Sequence, residues 1–504
     1  MKGLMSTAAS RAWLGVALVG FVVVALVLVL SLVPRLSSGQ QVIESAKPAF
    51  TDERLAGTRA GVDLLSRYVD LVDPLLTARG GGHSEFRSLV RLVRRSLGVS
   101  TDQARKILRR EAPHIEALAR ALPLERVADE IPVLTAYLAT TLAVSEDELA
   151  AILEQSFPRI AQTLATMPTV TDAWNDVPGM EGLTRLSRDK PVRTVPGLRK
   201  YLRDDVVALM HEHRENFQGL ASRGGIGYIP YLLLIVGLGL LVYGVLQARR
   251  ATVTAPGTVS WSVVVAVGVV LIALVVIGQF FPRLAGGQKL TTDFEPVFTQ
   301  QRVDATAIGL DTVHEAIVLG NPIMTRRGGV ALETPQLYRF VAGRTGRSPG
   351  DVRRALSRRA PHTIALLDAL PLTRVADEVP RLIDYLARAL RVPRARVVRL
   401  LRRRAPRLTR ALLAAPAVTA GWNDIRGAGE LTRFDGTTPV QTMAAFDDYL
   451  RQDVVPVLVR ERAHFATFAG GRLPIDTLAP ALLIAGIAVM LYGGVMMQLV
   501  GRRQ

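Results

Sequence analysis

The sequence repeats itself at a spacing of 248 residues, the distance from Trp13 to Trp261. Pro34-Arg35 returns as Pro282-Arg283, Ala112-Pro113-His114 as Ala360-Pro361-His362, and Val127-Ala128-Asp129-Glu130 as Val375-Ala376-Asp377-Glu378. Trp174-Asn175-Asp176 returns as Trp422-Asn423-Asp424, Tyr201-Leu202-Arg203 as Tyr449-Leu450-Arg451, and Phe217 as Phe465. So many matches at one spacing, almost without gaps, mark a fused duplication, so the fold must accommodate one unit twice.

Four stretches inside this repeat are apolar, free of charge and about as long as a helix needs to cross the ~30 Å hydrocarbon core of a bilayer. They run from about Trp13 to Val33, Ile226 to Leu246, Val259 to Phe281 and Leu478 to Val500. The first is longer than a signal-peptide core, and no small-residue cleavage site follows at Pro34-Arg35-Leu36, so it reads as an uncleaved anchor. Lys2, Arg11, Arg249, Arg250, Arg502 and Arg503 flank these stretches on one side with no acid among them. The positive-inside rule puts that side in the cytoplasm.

The expected organisation is therefore all-α, an integral membrane protein with two tandem, homologous helical extramembrane domains. It comprises a cytoplasmic tail (1–12), a first membrane helix (13–33), a first ectodomain (34–225) and a second membrane helix (226–246). A cytoplasmic loop (247–258), a third membrane helix (259–281), a second ectodomain (282–477), a fourth membrane helix (478–500) and a short tail (501–504) complete it. Because each unit crosses twice, the two copies share one orientation, a parallel repeat. The expected location is the cell membrane, with both ectodomains outside the cytoplasm.

A fainter repeat lies inside each ectodomain: Leu97 to Pro123 matches Leu142 to Pro168, and Thr345 to Pro371 matches Leu390 to Pro416. Each copy reads as two short helices joined at a proline (Pro113, Pro158, Pro361, Pro406). Ser100 with Gln103 and Ser145 with Glu148 are capping boxes, and Pro349 and Pro393 are placed at first helical positions. The opening Leu97-Gly98-Val99-Ser100 resembles that of helix-turn-helix DNA readers. A capped helical hairpin outside the cytoplasm is the reading taken, so nucleic acid is not an expected partner.

Little in the sequence points to catalysis. The chain has no cysteine, which excludes disulfides, thiol nucleophiles and cysteine metal sites. His211-Glu212-His213 lacks the four-residue spacing that puts two histidines on one helix face, and reads as a solvated membrane-proximal helix. His114 and His362 read as helix-terminal residues. Neither cofactor nor metal is expected. Two motifs stand out as more than packing. One is Trp174, Asn175 and Asp176 with Arg185, repeated as Trp422, Asn423 and Asp424 with Arg433: either a turn covered by its tryptophan, or a polar pocket with the Asp and Arg facing a ligand. The other is Arg381 to Arg410, with eleven arginines and one acid, Asp384. Residues 34–225 hold 26 basic and 25 acidic residues, whereas 282–477 hold 30 and 19, so the positive charge collects in the second half. Arg399, Arg402, Arg403 and Arg404 are the expected centre of an anion-binding surface for anionic lipid, an acidic envelope polymer or the acidic stretch Glu146 to Glu154.

The apolar helices carry no ionisable group of the kind that marks an ion or proton path. Their small residues, Gly237, Gly239, Gly244, Gly486, Gly493 and Gly494, suit helix association. In its Arg/Ala/Leu bias, with six lysines among 62 basic residues, its paired ectodomains and its proline-jointed helices, the chain resembles uncharacterised multi-pass membrane proteins of actinobacteria along its whole length. The resemblance implies no activity. The function expected is a non-enzymatic cell-envelope scaffold or accessory subunit, with the bilayer and a protein partner or a second copy as its contacts. A lipid-binding or lipid-transport accessory component is the alternative, and a membrane-bound enzyme the third.

Overall fold

The structure is a computed structural model that describes residues 2–221, 225–251, 258–324, 329–471 and 473–502, with residues 2–9 and 501 as backbone only. Residues 252–257 of the expected cytoplasmic loop, and Arg503, lie outside the described residues. Helix makes up 82% of the described residues, and among them the only β contacts are isolated bridges, Thr184 to Pro191 and Thr432 to Pro439. The fold is all-α.

The first half opens with α1 (Lys2–Val29), α2 (Leu32–Ala46), α3 (Asp52–Leu76), α4 (Gly82–Leu97), α5 (Thr101–Glu111), α6 (Pro113–Ala121) and α7 (Glu125–Leu142). It continues with α8 (Glu146–Ser156), α9 (Pro158–Ala173), α10 (Val195–Lys200), α11 (Ala208–Glu212), α12 (Arg214–Ala221) and α13 (Ile229–Arg250). The second half opens with α14 (Thr258–Ile277), α15 (Phe280–Phe294), α16 (Gln300–Met324), α17 (Val330–Thr345), α18 (Pro349–Arg359) and α19 (Pro361–Ala369). It closes with α20 (Leu372–Leu390), α21 (Arg394–Arg404), α22 (Pro406–Gly421), α23 (Met443–Asp448), α24 (Val455–Ala469) and α25 (Leu478–Gly501). Thus α1 corresponds to α14, and the correspondence runs in step to α10 and α23.

Packing divides the chain without regard to this order. One compact unit gathers Met1–Thr51, Leu209–Val303 and Val457–Gln504, and the other Asp52–Ala208 and Asp304–Pro456. Each unit draws on both halves, and each stretch expected to form an ectodomain contributes to both units.

The first unit holds α1, α13, α14 and α25, the four helices among the described residues that are long and apolar enough to cross a membrane, with mean hydropathy of 2.1 or more. α1 and α14 end earlier than their apolar runs. Ser31 (φ 50°) and Gln279 (φ 53°) take left-handed conformations, and new helices begin at Leu32 and Phe280. The break places Pro34 and Pro282 in a first helical turn, where their missing N–H costs nothing, instead of inside a continuing helix. α1 lies against α13 so closely that a Cβ on Gly20 would stand 2.4 Å from the Leu241 backbone nitrogen; on Gly268 of α14 it would stand 2.6 Å from that of Met490 in α25. Between the pairs, Trp13 and Trp261 stack with ring centres 3.8 Å apart. Tyr243 Oη donates to Ser260 O (3.0 Å) and Tyr492 Oη to Ala12 O (2.8 Å), so each pair reaches across to the other. Arg35 donates to Phe468 O and Leu473 O, while Arg283 donates to Leu220 O and Gly225 O, again exchanging partners between halves.

The second unit has one apolar core to which both halves contribute. α3 packs along α22: Tyr68 meets Trp422 edge-on at 4.9 Å, and Gly61 leaves room for Phe446. Tyr68 Oη donates to the carbonyl of Ala316, its own counterpart in the repeat, and α6 packs on α19, its counterpart. Such self-matching contacts lie where an internal two-fold axis would pass.

The proline-jointed hairpins form as α5/α6, α8/α9, α18/α19 and α21/α22, with Pro113, Pro158, Pro361 and Pro406 opening the second helix of each. Both capping boxes are made. Pro393 departs from expectation: it is the residue before α21, with extended backbone, and the helix starts at Arg394.

Candidate functional site

The four helices that begin at those prolines have no local cap, because the residues before them (Ala112, Phe157, Ala360 and Ala405) carry no side-chain acceptor. The open N–H groups of their first turns need partners. Carboxylates from the opposite half supply them. Glu378 accepts from the N–H groups of His114 (2.9 Å) and Ile115 (3.0 Å), and Glu130 from those of His362 (3.2 Å) and Thr363 (2.8 Å). Glu333 accepts from Arg159 and Ile160, and its counterpart Glu85 from Leu408. Each anion also sits at the positive end of a helix dipole. His114 and His362 are thus helix-terminal as expected, and their Nδ1 atoms also face Glu378 and Glu130 (2.5 and 2.7 Å). These four glutamates escaped the sequence reading. The available signal was the run of four helices with alanine or phenylalanine where a cap belongs.

The Trp-Asn-Asp motif closes α9 and α22. Trp174 and Trp422 are buried; the indole N–H of Trp174 donates to Asp73 Oδ1 (3.1 Å) and that of Trp422 to Asn321 Oδ1 (2.8 Å). Asn175 donates to Thr77 Oγ1, whereas Asp176, Asn423 and Asp424 are exposed. Arg185 turns to a π-helical turn, Tyr201–Val207, where Asp205 takes Nε at 2.6 Å and Nη2 at 2.8 Å and also accepts from Leu186 N–H. Asp453, in the π-turn Tyr449–Val454, does the same for Arg433 and Phe434. The wider turn aims the aspartate inward, a common use of such insertions. Its hydrogen bonds to Asp205 hold the Arg185 guanidinium above its ordinary pKa, and those to Asp453 do so for Arg433. Each fork is filled by a π-turn aspartate, not by Asp176 or Asp424. Beside Arg433, the Thr438 hydroxyl and the backbone N–H groups of Thr438 and Thr437 hold the Asp435 carboxyl well below the usual range.

His213 corrects the reading of His211-Glu212-His213 as a solvated helix. It is fully buried, with Nε2 2.9 Å from Asp293, while His211 and Glu212 are exposed. At the equivalent place Glu461 accepts from Ser45 Oγ, so the two halves fill one position with different chemistry. Among the described residues no group of three His, Asp or Glu side chains is placed to hold a metal ion.

Arg399, Arg402, Arg403 and Arg404 stand on the exposed side of α21, whose Val397 and Leu401 are buried. Arg394 pairs with Asp384, and Arg407 donates to Arg79 O and Gly80 O. Among the described residues no ion pair neutralises the other four, and none joins α21 to α8. α8 occupies the equivalent place in the first half and carries Glu146, Asp147, Glu148 and Glu154, all exposed. Helices of equal length at equivalent positions thus present opposite charge. Comparison of the chain with protein-family models, curated proteins and solved structures returns no match.

Proposed function

We propose that this chain is a non-enzymatic cell-envelope scaffold or accessory subunit, made of two fused copies of one unit and anchored by four membrane-crossing helices. The positive flanks support cytoplasmic termini and an extracytoplasmic place for the interlocked unit. One observation carries the reading: at equivalent positions α8 is acidic and α21 basic, and neither charge is answered by the other. Uncompensated like charge within a Debye length of ~8 Å is self-repelling, and so fits a surface that meets a partner of opposite sign.

The test is site-specific photocrosslinking in cells, with a benzophenone amino acid at Asp147, Arg399 or Arg403 and at the neutral exposed position Thr140. Discrete protein adducts at the charged positions, lost as salt is raised, are expected. Equal labelling at Thr140, or no adduct at either charged face, would contradict the proposal.

A further inference from the structure

Beside the α21 face is an open depression of about 520 Å³ within the second unit. Three guanidinium side chains line it, Arg67 from α3, Arg402 from α21 and Arg410 from α22, over an apolar floor that includes Pro406, Leu413 and Ala417. No acid lines it. Arg410 lies 3.8 Å from Asp70, which Arg199 holds more tightly at 2.6 Å, and Arg67 and Arg402 have no acidic partner among the described residues. The repeat adds an independent observation. The positions equivalent to Arg67, Arg402 and Arg410 are Glu315, Glu154 and Gln162, so the three equivalent places carry no positive charge at all.

We propose that this depression binds one anionic amphiphile per chain, its phosphate or carboxylate head on Arg67, Arg402 and Arg410 and its alkyl part on the apolar floor. Guanidinium forks pair with such oxyanions through parallel charge-assisted hydrogen bonds. The apolar floor distinguishes an amphiphile from a bare anion, because only the former removes apolar surface from water on both sides. The proposal goes beyond the scaffold reading and stands or falls separately from it, because it requires no protein partner.

The experiment is calorimetric titration of the full chain, held in phosphatidylcholine nanodiscs, with hexyl phosphate, inorganic phosphate and hexanol, each corrected for empty nanodiscs. Hexyl phosphate is expected to bind at one site per chain, more tightly than either fragment and more weakly as salt rises. Arg402→Gln alone should weaken it, and Arg67→Gln, Arg402→Gln and Arg410→Gln together should weaken it at least roughly tenfold. Binding of inorganic phosphate as tight as that of hexyl phosphate would overturn the amphiphile assignment. Unchanged binding in the triple glutamine variant, or self-association of the chain with no binding of hexyl phosphate, would overturn the site.

Discussion

At the scale of single residues, four carboxylates cap helices of the second unit from far off in the sequence. Glu378 and His114, or Glu85 and Leu408, are hundreds of residues apart, and nothing local in the chain announces the pairing. The Trp-Asn-Asp motif was legible as a core-covering turn, because Trp and Asn there have ordinary structural roles. What Arg185 does was hidden, because Asp205 reaches it only through a π-turn that no helical periodicity reveals. Asp205 and Asp176 carry opposite weights. Arg185→Ala strands the Asp205 carboxylate, which is 2% exposed, and should cost ~3–5 kcal/mol, as breaking a buried ion pair does. Asp176→Asn, at an exposed position, should change stability by no more than about 0.5 kcal/mol. Thermal unfolding of the purified variants checks both; equal effects would return Asp176 to the list of working residues.

At the scale of elements, the four apolar helices and the proline-jointed hairpins follow from composition and spacing alone. Their ends do not: α1 and α14 stop at left-handed residues set by the prolines that follow. The glycines were only partly legible. Gly237, Gly244, Gly486 and Gly493 do lie at helix contacts, but Gly239 and Gly494 meet nothing within 4 Å, and Gly20 and Gly268, where an added Cβ would stand 2.4 and 2.6 Å from a neighbouring backbone nitrogen, were passed over. The reason is geometric, since a small residue matters only on the face turned to a neighbour, and uniformly apolar helices give no sign of which face that is. Gly20→Val and Gly268→Val should each destabilise the apolar unit by at least the ~1–3 kcal/mol typical of overpacking, whereas Gly239→Val and Gly494→Val should be tolerated. Melting temperatures in detergent would separate the two pairs; equal losses in all four would mean that the contacts are misassigned.

At the scale of the whole molecule, the matches at a spacing of 248 residues do not say how the two halves are combined. Here they exchange parts. Caps, core side chains and buried arginines of each half find partners in the other, and both compact units are mosaics of the two. Equivalent positions still differ between the halves, as His213 against Glu461 and α8 against α21 show. The central claim is this mutual dependence, and splitting the chain within residues 252–257 tests it most directly. Halves carrying different tags, expressed together, should copurify one to one in detergent and give the same protease-resistant fragments as the intact chain, while either half alone should be digested throughout. If each half alone resisted protease and unfolded cooperatively without the other, the interlocked account would be contradicted.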